Sequence, residues 1–201
     1  GISSQMVLSR RQWLIHLCVC TWALLTWGLV MPAALALGGP QPPLGEMAPA
    51  FTLPTNSGEG EISLADYRGR WVVLYFYPQD GTSGCTLEAR RFQENRPAFQ
   101  ALNAEIIGVS VDDVSSHESF CTAEGIEFPL LSDEDGRVSK AYGSWLTGRS
   151  LRHTYLIDPD GTMRERFLGV RPAIHSQEVL TTLESLLMPS ATVSSQTIEN
   201  L

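Results

Sequence analysis

An unbroken run of apolar and aromatic residues at positions 71–77 constrains the fold more than any other segment of the chain. Such a run is typical of a strand buried on both faces, and we expect it to be the central strand of a sheet. Pro78 ends the run, and a Gly-containing turn at 80–84 follows it. The polar and apolar rhythm after the turn predicts a helix from Cys85 to Leu102, interrupted at Pro97.

Strands and helices are predicted to alternate along the rest of the chain. Further strands are expected at residues 50–53, 104–111, 128–131, 154–158 and 162–168. Further helices are expected at residues 115–124, 136–142 and about 176–187, with a single capped turn at 63–69. The order βαβα followed by ββα predicts an α/β protein with a thioredoxin-like fold, in which a mixed central sheet carries helices on both faces.

Residues 1–36 have the order of an export signal. Arg10 and Arg11 precede an apolar stretch, and the small residues Ala34 and Ala36 suit cleavage after Ala36. We expect a mature chain from residue 37, exported to a periplasm or a thylakoid lumen. The paired arginines also resemble a twin-arginine signal. The alternative is an uncleaved membrane anchor, because the stretch is about as long as the roughly 20 residues that span a bilayer.

The remaining chain divides into three parts. Residues 37–47 are rich in Gly and Pro and predict an extended linker, whereas the polar residues 189–201 predict a mobile tail. Residues 48–188 are predicted to form one domain. Loss of the first 36 residues, which carry two Arg and no acid, would move the formal net charge from −8 to −10. No basic stripe remains, which argues against nucleic acid as a partner.

Two of the four cysteines, Cys85 and Cys121, lie outside the predicted signal. A thiol attacks as the thiolate, and a helix N-terminus favours that form, so the predicted position of Cys85 is that of a nucleophile. The Thr82 hydroxyl lies one turn away and can bond the sulfur or an approaching oxygen, and Pro78 closes the pocket. An isolated cysteine here would be a small core residue, and an exported protein with two cysteines would usually join them in a structural disulfide.

Pro78, Thr82 and Cys85 resemble the Pro-x-x-x-Thr-x-x-Cys signature of the peroxiredoxin family. The sequences at 75–78 and 84–89 resemble its Q-type branch, the bacterioferritin comigratory proteins, and the resemblance spans roughly residues 44–187. It implies a thiol peroxidase for hydrogen peroxide and organic hydroperoxides that serves antioxidant defence. It also implies an enzyme without a cofactor or a metal, and often a monomer.

The resemblance also implies roles for residues distant from the signature. By position, the family's arginine is Arg152, whose guanidinium favours the thiolate and can hold both peroxide oxygens. Glu88 is either a solvated partner of the helix dipole or a contact of Arg152. Many Q-type members carry a second cysteine where this chain has Arg90. Cys121 resembles the site used by another subset, and is expected to resolve the sulfenic acid of Cys85 before thioredoxin or a similar dithiol restores both thiols.

Three other interpretations remain open at this stage. A thioredoxin-like disulfide reductase would need a first cysteine where Thr82 stands. In a one-cysteine peroxidase, an external thiol would resolve Cys85 and Cys121 would be a buried helix residue. In a non-enzymatic domain, Cys85 and Cys121 would form a structural disulfide.

The histidines are not expected to form a metal site or to supply a base. His117 is predicted on a polar helix face, and His153 on a strand with Arg152 on the opposite side of the sheet. A structural zinc site would need four ligands. His175 is expected to be solvated at the start of the last helix.

Overall fold

The computed structural model describes residues 37–57 and 60–188. The predicted export signal at 1–36 and the predicted tail at 189–201 lie outside the described residues. Within the described part of the chain, no helix has the length and apolar character needed to cross a bilayer.

Nine strands and four α-helices are described. The strands are β1 (Thr52–Pro54), β2 (Glu61–Ser63), β3 (Trp71–Phe76), β4 (Ala104–Ser110), β5 (Leu130–Ser132), β6 (Trp145–Leu146), β7 (Arg149–Ser150), β8 (His153–Ile157) and β9 (Met163–Leu168). The helices are α1 (Ser83–Ala101), α2 (Val114–Glu124), α3 (Arg137–Ala141) and α4 (His175–Leu187), and a short 3₁₀ helix covers Leu64–Tyr67.

Strand β3 lies at the centre of a mixed five-stranded sheet with the order β5-β4-β3-β8-β9. It runs parallel to β4 and antiparallel to β8, and every residue of β3 is buried. Val73 and Tyr75 pack in a cluster with α1, α2 and α4, whereas Val72, Leu74 and Phe76 pack on the other face with α3 and the β1–β2 hairpin. The alternation follows from the twofold period of a strand, and explains why the run is apolar throughout.

Helix α1 differs from the prediction at both ends and at Pro97. It begins at Ser83, two residues before Cys85, and continues through Pro97 to Ala101. Proline lacks one N–H donor but has a φ angle that suits a helix. Phe92 and Phe99 are fully buried on either side of Pro97. Their packing stabilises the continuous helix, because tertiary contacts supply most of the stability of a helix in a protein.

The segment 37–47, which the sequence predicts to be a linker, has turns at residues 37–38 and 44–45 and lies along the domain. The Gly45 N–H donates to the Met163 carbonyl at 2.8 Å, and the Met163 N–H donates to the Glu46 carbonyl at 2.8 Å. The Gln41 side chain also reaches the Gly143 carbonyl at 3.5 Å. These contacts attach the segment to the start of β9 and to the loop after α3.

Candidate active site

Cys85 lies in the first turn of α1, directly beyond the carboxyl end of β3. Thr82 is the N-cap, and its carbonyl accepts the first helical hydrogen bond, from the Thr86 N–H at 2.8 Å. Cys85 is only 1% exposed. The unpaired N–H groups of the first turn of a helix carry partial positive charge, and Cys85 lies in that turn.

Arg152, which the resemblance assigns to the site, contacts the Cys85 sulfur. Thr154 of β8 pairs with Tyr75 of β3, so residue 152 lies beyond the end of β3 where α1 begins. The Arg152 Nη2 is 3.3 Å from the Cys85 Sγ. The guanidinium thus adds a full positive charge beside the sulfur to the partial charges of the helix start.

Gly84 permits this close approach of Arg152. A Cβ at Gly84 would lie 2.7 Å from the Arg152 Nη2, a separation that real Cβ atoms do not show. The sequence pattern assigned Gly84 to the turn and gave no sign of this contact, because the guanidinium belongs to a residue just before β8, 68 positions further along the chain.

Glu88 holds the other side of the Arg152 guanidinium. The Arg152 Nη1 donates to the Glu88 Oε2 at 2.7 Å, and the Glu88 side chain is 1% exposed. Burial raises the pKa of Glu88 to about 7, against the opposing effect of Arg152. The expectation of a solvated helix-dipole partner is wrong, because Glu88 lies one turn after Cys85 on the same inner face of α1. The alternative, a contact with Arg152, is what the structure has.

Thr82 and Pro78 frame the loop before α1. The Thr82 side chain is exposed, and its hydroxyl donates to the Gln79 carbonyl at 3.2 Å rather than to the Cys85 sulfur. The hydroxyl oxygen can still accept a hydrogen bond from an incoming molecule. Pro78 is half-buried and directly follows the buried Tyr77.

Cys121 lies on α2 and is 8% exposed. Both Cys85 and Cys121 are free thiols in the structure. The Asn56 Nδ2 donates to the Cys121 Sγ at 3.1 Å. Burial and, less strongly, the negative charge of Asp80 raise the pKa of Cys121 to about 11, against the opposing effect of the hydrogen bond from Asn56.

A buried network joins the loop before α1 to the start of α2. The Asp80 carboxylate accepts hydrogen bonds from the Tyr77 hydroxyl at 2.7 Å and the Ser116 hydroxyl at 2.8 Å, and is 2.8 Å from the His117 Nδ1. The Asp80 N–H donates to Asp112 at 2.8 Å. His117 is fully buried rather than on a polar face. The sequence pattern did not reveal this network, because its members come from two segments, 77–80 and 112–117, that are more than 30 positions apart.

His175 is also buried, and the expectation of a solvated side chain is wrong. Its Nε2 lies 2.7 Å from the Thr154 Oγ1 of β8, so the first turn of α4 faces the sheet. Burial lowers the pKa of His175 to about 4 and that of His153 below its ordinary value. Among residues 37–57 and 60–188, no group of three or more His, Cys, Asp or Glu side chains could hold a metal ion.

Comparison with known proteins gives consistent matches. Residues 44–166 match the model of the AhpC/TSA family. Peroxiredoxin Bcp of Xanthomonas campestris pv. campestris is 38% identical over 148 residues, which cover 69% of this chain and 92% of that protein. The crystal structure of a cysteine-to-serine mutant of PrxQ from Xylella fastidiosa aligns with a TM-score of 0.70 at 34% identity, covering 75% of this chain and 100% of that chain. The match confirms the predicted fold class.

Structures from Xanthomonas campestris bear on the chemistry. One, with a TM-score of 0.65 and 33% identity over 68% of this chain and 91% of that chain, concerns the alkyl peroxide reduction activity of the Bacterioferritin Comigratory Protein. Two others are single cysteine-to-serine mutants of Peroxiredoxin Q. The two cysteines substituted there are separated by the same number of residues as Cys85 and Cys121.

Proposed function

The chain belongs to the AhpC/TSA family and is a peroxiredoxin, a thiol peroxidase, and on that premise we propose that Cys85 is the thiol that attacks the peroxide. The observation that carries the proposal is the contact of 3.3 Å between the Arg152 Nη2 and the Cys85 Sγ at the start of α1. Peroxide reduction needs a thiolate and a donor for the departing oxygen, and this arrangement supplies both.

In the first step, the Cys85 thiolate attacks the terminal oxygen of the peroxide. An S–O bond forms while the O–O bond breaks, and the departing oxygen takes up a proton and leaves as water or an alcohol. Negative charge moves from the sulfur to the departing oxygen, so a guanidinium beside both stabilises the transition state. The Thr82 hydroxyl is available to accept a hydrogen bond from the bound peroxide. The product is a sulfenic acid on Cys85.

In the second step, Cys121 resolves this sulfenic acid. Its thiolate attacks the Cys85 sulfur, a disulfide forms, and the hydroxyl leaves as water after protonation. The equal spacing of the two cysteines studied in the Xanthomonas Peroxiredoxin Q supports this pairing. Thioredoxin or a similar dithiol then reduces the disulfide by exchange and restores both thiols.

We propose that the start of α1 unwinds when the disulfide forms. The Cα atoms of a disulfide are about 4.4 to 6.8 Å apart, and the two cysteines lie on different helices. The N-cap Thr82 makes no side-chain capping bond to α1, and residues 81–83 are exposed. Equal amide-exchange protection of residues 82–91 in the oxidised and reduced proteins would contradict this step.

Two serine variants test the assignment of the cysteines. In the full chain, Cys85→Ser should abolish peroxide consumption while leaving the fold intact. Cys121→Ser should still reduce the first equivalent of peroxide but lose turnover with thioredoxin. Undiminished turnover of Cys121→Ser with thioredoxin would instead mean that an external thiol resolves Cys85.

Alkyl hydroperoxides belong to the proposed substrates together with hydrogen peroxide. The alkyl peroxide reduction activity of the similar Xanthomonas Bacterioferritin Comigratory Protein supports this range. Comparison of kcat/KM for hydrogen peroxide and tert-butyl hydroperoxide tests this substrate range. Activity on only one of the two would limit the proposed substrates to that class of peroxide. We expect a monomer, which sedimentation of the reduced protein tests.

Export through residues 1–36 is also part of the proposal. It is supported by the order of the basic residues, the apolar stretch and the Ala34 and Ala36 positions. N-terminal sequencing of the protein recovered from its cell should find residue 37 first. An uncleaved N-terminus would favour the membrane anchor.

A further inference from the structure

We propose that Asn56 is a positioning residue for the resolving step, because its side-chain amide stabilises the thiolate of Cys121. Asn56 lies in the loop after β1, and its Nδ2 is 3.1 Å from the Cys121 Sγ. The inference rests on the proposed role of Cys121 as the resolving thiol.

Neighbouring backbone groups fix the orientation of the Asn56 amide. The Leu130 N–H donates to the Asn56 Oδ1 at 2.9 Å, and the Asn56 N–H donates to the Leu130 carbonyl at 3.4 Å. A backbone N–H can only donate, so the side-chain oxygen must face Leu130. The NH₂ group must therefore face the sulfur. The geometry points to a donor held towards Cys121 by β5.

Cys121 needs such a donor because its surroundings disfavour the thiolate. Burial and the charge of Asp80 raise its pKa to about 11 even with the hydrogen bond from Asn56 in place. At pH 7 a thiol with that pKa is ionised in roughly one molecule in ten thousand. Without the hydrogen bond from Asn56 the ionised fraction would be smaller by a further factor of about tenfold to a hundredfold, the usual effect of a hydrogen bond to a charged group. Among the groups that shift the pKa of Cys121, Asn56 is the one that lowers it.

The contact persists during the reaction if Cys85 moves to Cys121 and α2 stays in place. Helix α2 is capped at both ends: Asp113 accepts from the Ser116 N–H at 2.8 Å, and the Cys121 carbonyl accepts from the Ile126 N–H at 3.0 Å. The start of α1 lacks a side-chain cap. The segment from Gly81 to Cys85 is thus the part that moves, and the attacking sulfur keeps its hydrogen bond from Asn56.

In chemical terms, Asn56 neither gains nor loses a proton. Cys121 gives up its proton, its thiolate attacks the sulfur of the Cys85 sulfenic acid, the S–S bond forms and the S–O bond breaks. The departing hydroxide takes up a proton and leaves as water, so the step needs no reductant or oxidant beyond the peroxide already consumed.

Two substitutions at Asn56 separate an electrostatic role from a structural one. Asn56→Ala removes the donor to the sulfur and the acceptor for Leu130. Asn56→Asp has the same shape and still accepts from the Leu130 N–H, but it replaces the donor with a negative charge. Stabilisation of the thiolate predicts disulfide formation that is fastest in the wild type, slower with Ala and slowest with Asp. A purely structural role predicts that Asp is closer to the wild type than Ala.

The assay follows disulfide formation in the full chain. Cys18→Ser and Cys20→Ser in every protein leave only Cys85 and Cys121. One equivalent of hydrogen peroxide is added at pH 7, the reaction is quenched with acid and N-ethylmaleimide at successive times, and mass spectrometry counts the sulfenic acid and the disulfide. Ser57→Ala is the matched control, because the Ser57 hydroxyl in the same loop contacts Thr55 instead of Cys121.

We expect Asn56→Ala to slow disulfide formation by about tenfold to a hundredfold, with the first oxidation of Cys85 and the control variant unchanged. Wild-type disulfide rates in Asn56→Ala, or a faster rate in Asn56→Asp than in Asn56→Ala, would overturn the inference. A wild-type protein that forms no disulfide would overturn the proposed role of Cys121, and the inference with it, so the two failures are distinguishable.

Discussion

Replacement of Arg152 by methionine should separate the chemistry of the site from its packing. Arg152 has its Nη2 at 3.3 Å from the Cys85 Sγ and its Nη1 at 2.7 Å from the Glu88 Oε2. Loss of one donor aimed at developing charge typically costs about 10²–10³ in rate, or about 2.7–4 kcal/mol. We therefore expect Arg152→Met to lower the second-order rate constant for the oxidation of Cys85 by about 10²–10³.

The same substitution also removes the partner of Glu88. Breaking a buried ion pair costs about 3–5 kcal/mol when a charge remains behind. Glu88 can escape this cost by taking up a proton, since burial already raises its pKa to about 7. The free energy of unfolding of Arg152→Met should thus be lower than that of the wild type at pH 8, and closer to it at pH 5.

The double variant Arg152→Met with Glu88→Gln provides the control. It removes the unpaired carboxylate, so it should regain stability at pH 8 in urea unfolding but not regain the rate. Stopped-flow mixing with hydrogen peroxide, monitored by tryptophan fluorescence, measures the oxidation of Cys85. A double variant that oxidises Cys85 within a few-fold of the wild-type rate would refute the role given to the guanidinium.

Three further predictions follow from single contacts. Gly84→Ala should slow the oxidation of Cys85, because its Cβ would lie 2.7 Å from the Arg152 Nη2 and displace the guanidinium; an unchanged stopped-flow rate would contradict this. Glu88 binds its proton more tightly in the folded protein, with a pKa of about 7 against an ordinary 4.5, so its contribution to stability falls as the pH rises between these values. Glu88→Gln should remove that part of the pH dependence of the free energy of unfolding, measured in urea. If the variant and the wild type showed the same pH dependence, the raised pKa of Glu88 would be contradicted. Asp80→Asn replaces one carboxylate oxygen with an NH₂ donor that would face His117, and it disturbs the hydrogen bonds that Asp80 accepts from Tyr77 and Ser116. The free energy of unfolding should fall by about 1–3 kcal/mol. Calorimetry at neutral pH would show this as a lower Tm.

The sequence predicted the parts of the fold that depend on local pattern. The apolar run at 71–77 identified the buried central strand, and the turn after Pro78 identified the start of the Cys85 helix. Pro97 was misjudged because the burial of Phe92 and Phe99 outweighs one missing N–H donor. The local sequence pattern does not show how Phe92 and Phe99 pack against the rest of the chain.

Contacts between distant segments explain what the sequence did not reveal. Arg152 was found only through resemblance to a family, since 67 positions separate it from Cys85. Asn56 was missed because a polar residue in a loop gives no sign of Cys121, 65 positions away. His175 was assigned to solvent because its partner, Thr154, lies on strand β8, 21 positions earlier in the chain.

Mass spectrometry of the full chain before and after one equivalent of hydrogen peroxide tests the central claim most directly. We expect that the peroxide is consumed, that the peptide with Cys85 becomes linked to the peptide with Cys121, and that Cys121→Ser carries a sulfenic acid on Cys85. Peroxide that remains in solution while Cys85 is still fully alkylatable would contradict the assignment of Cys85 as the attacking thiol.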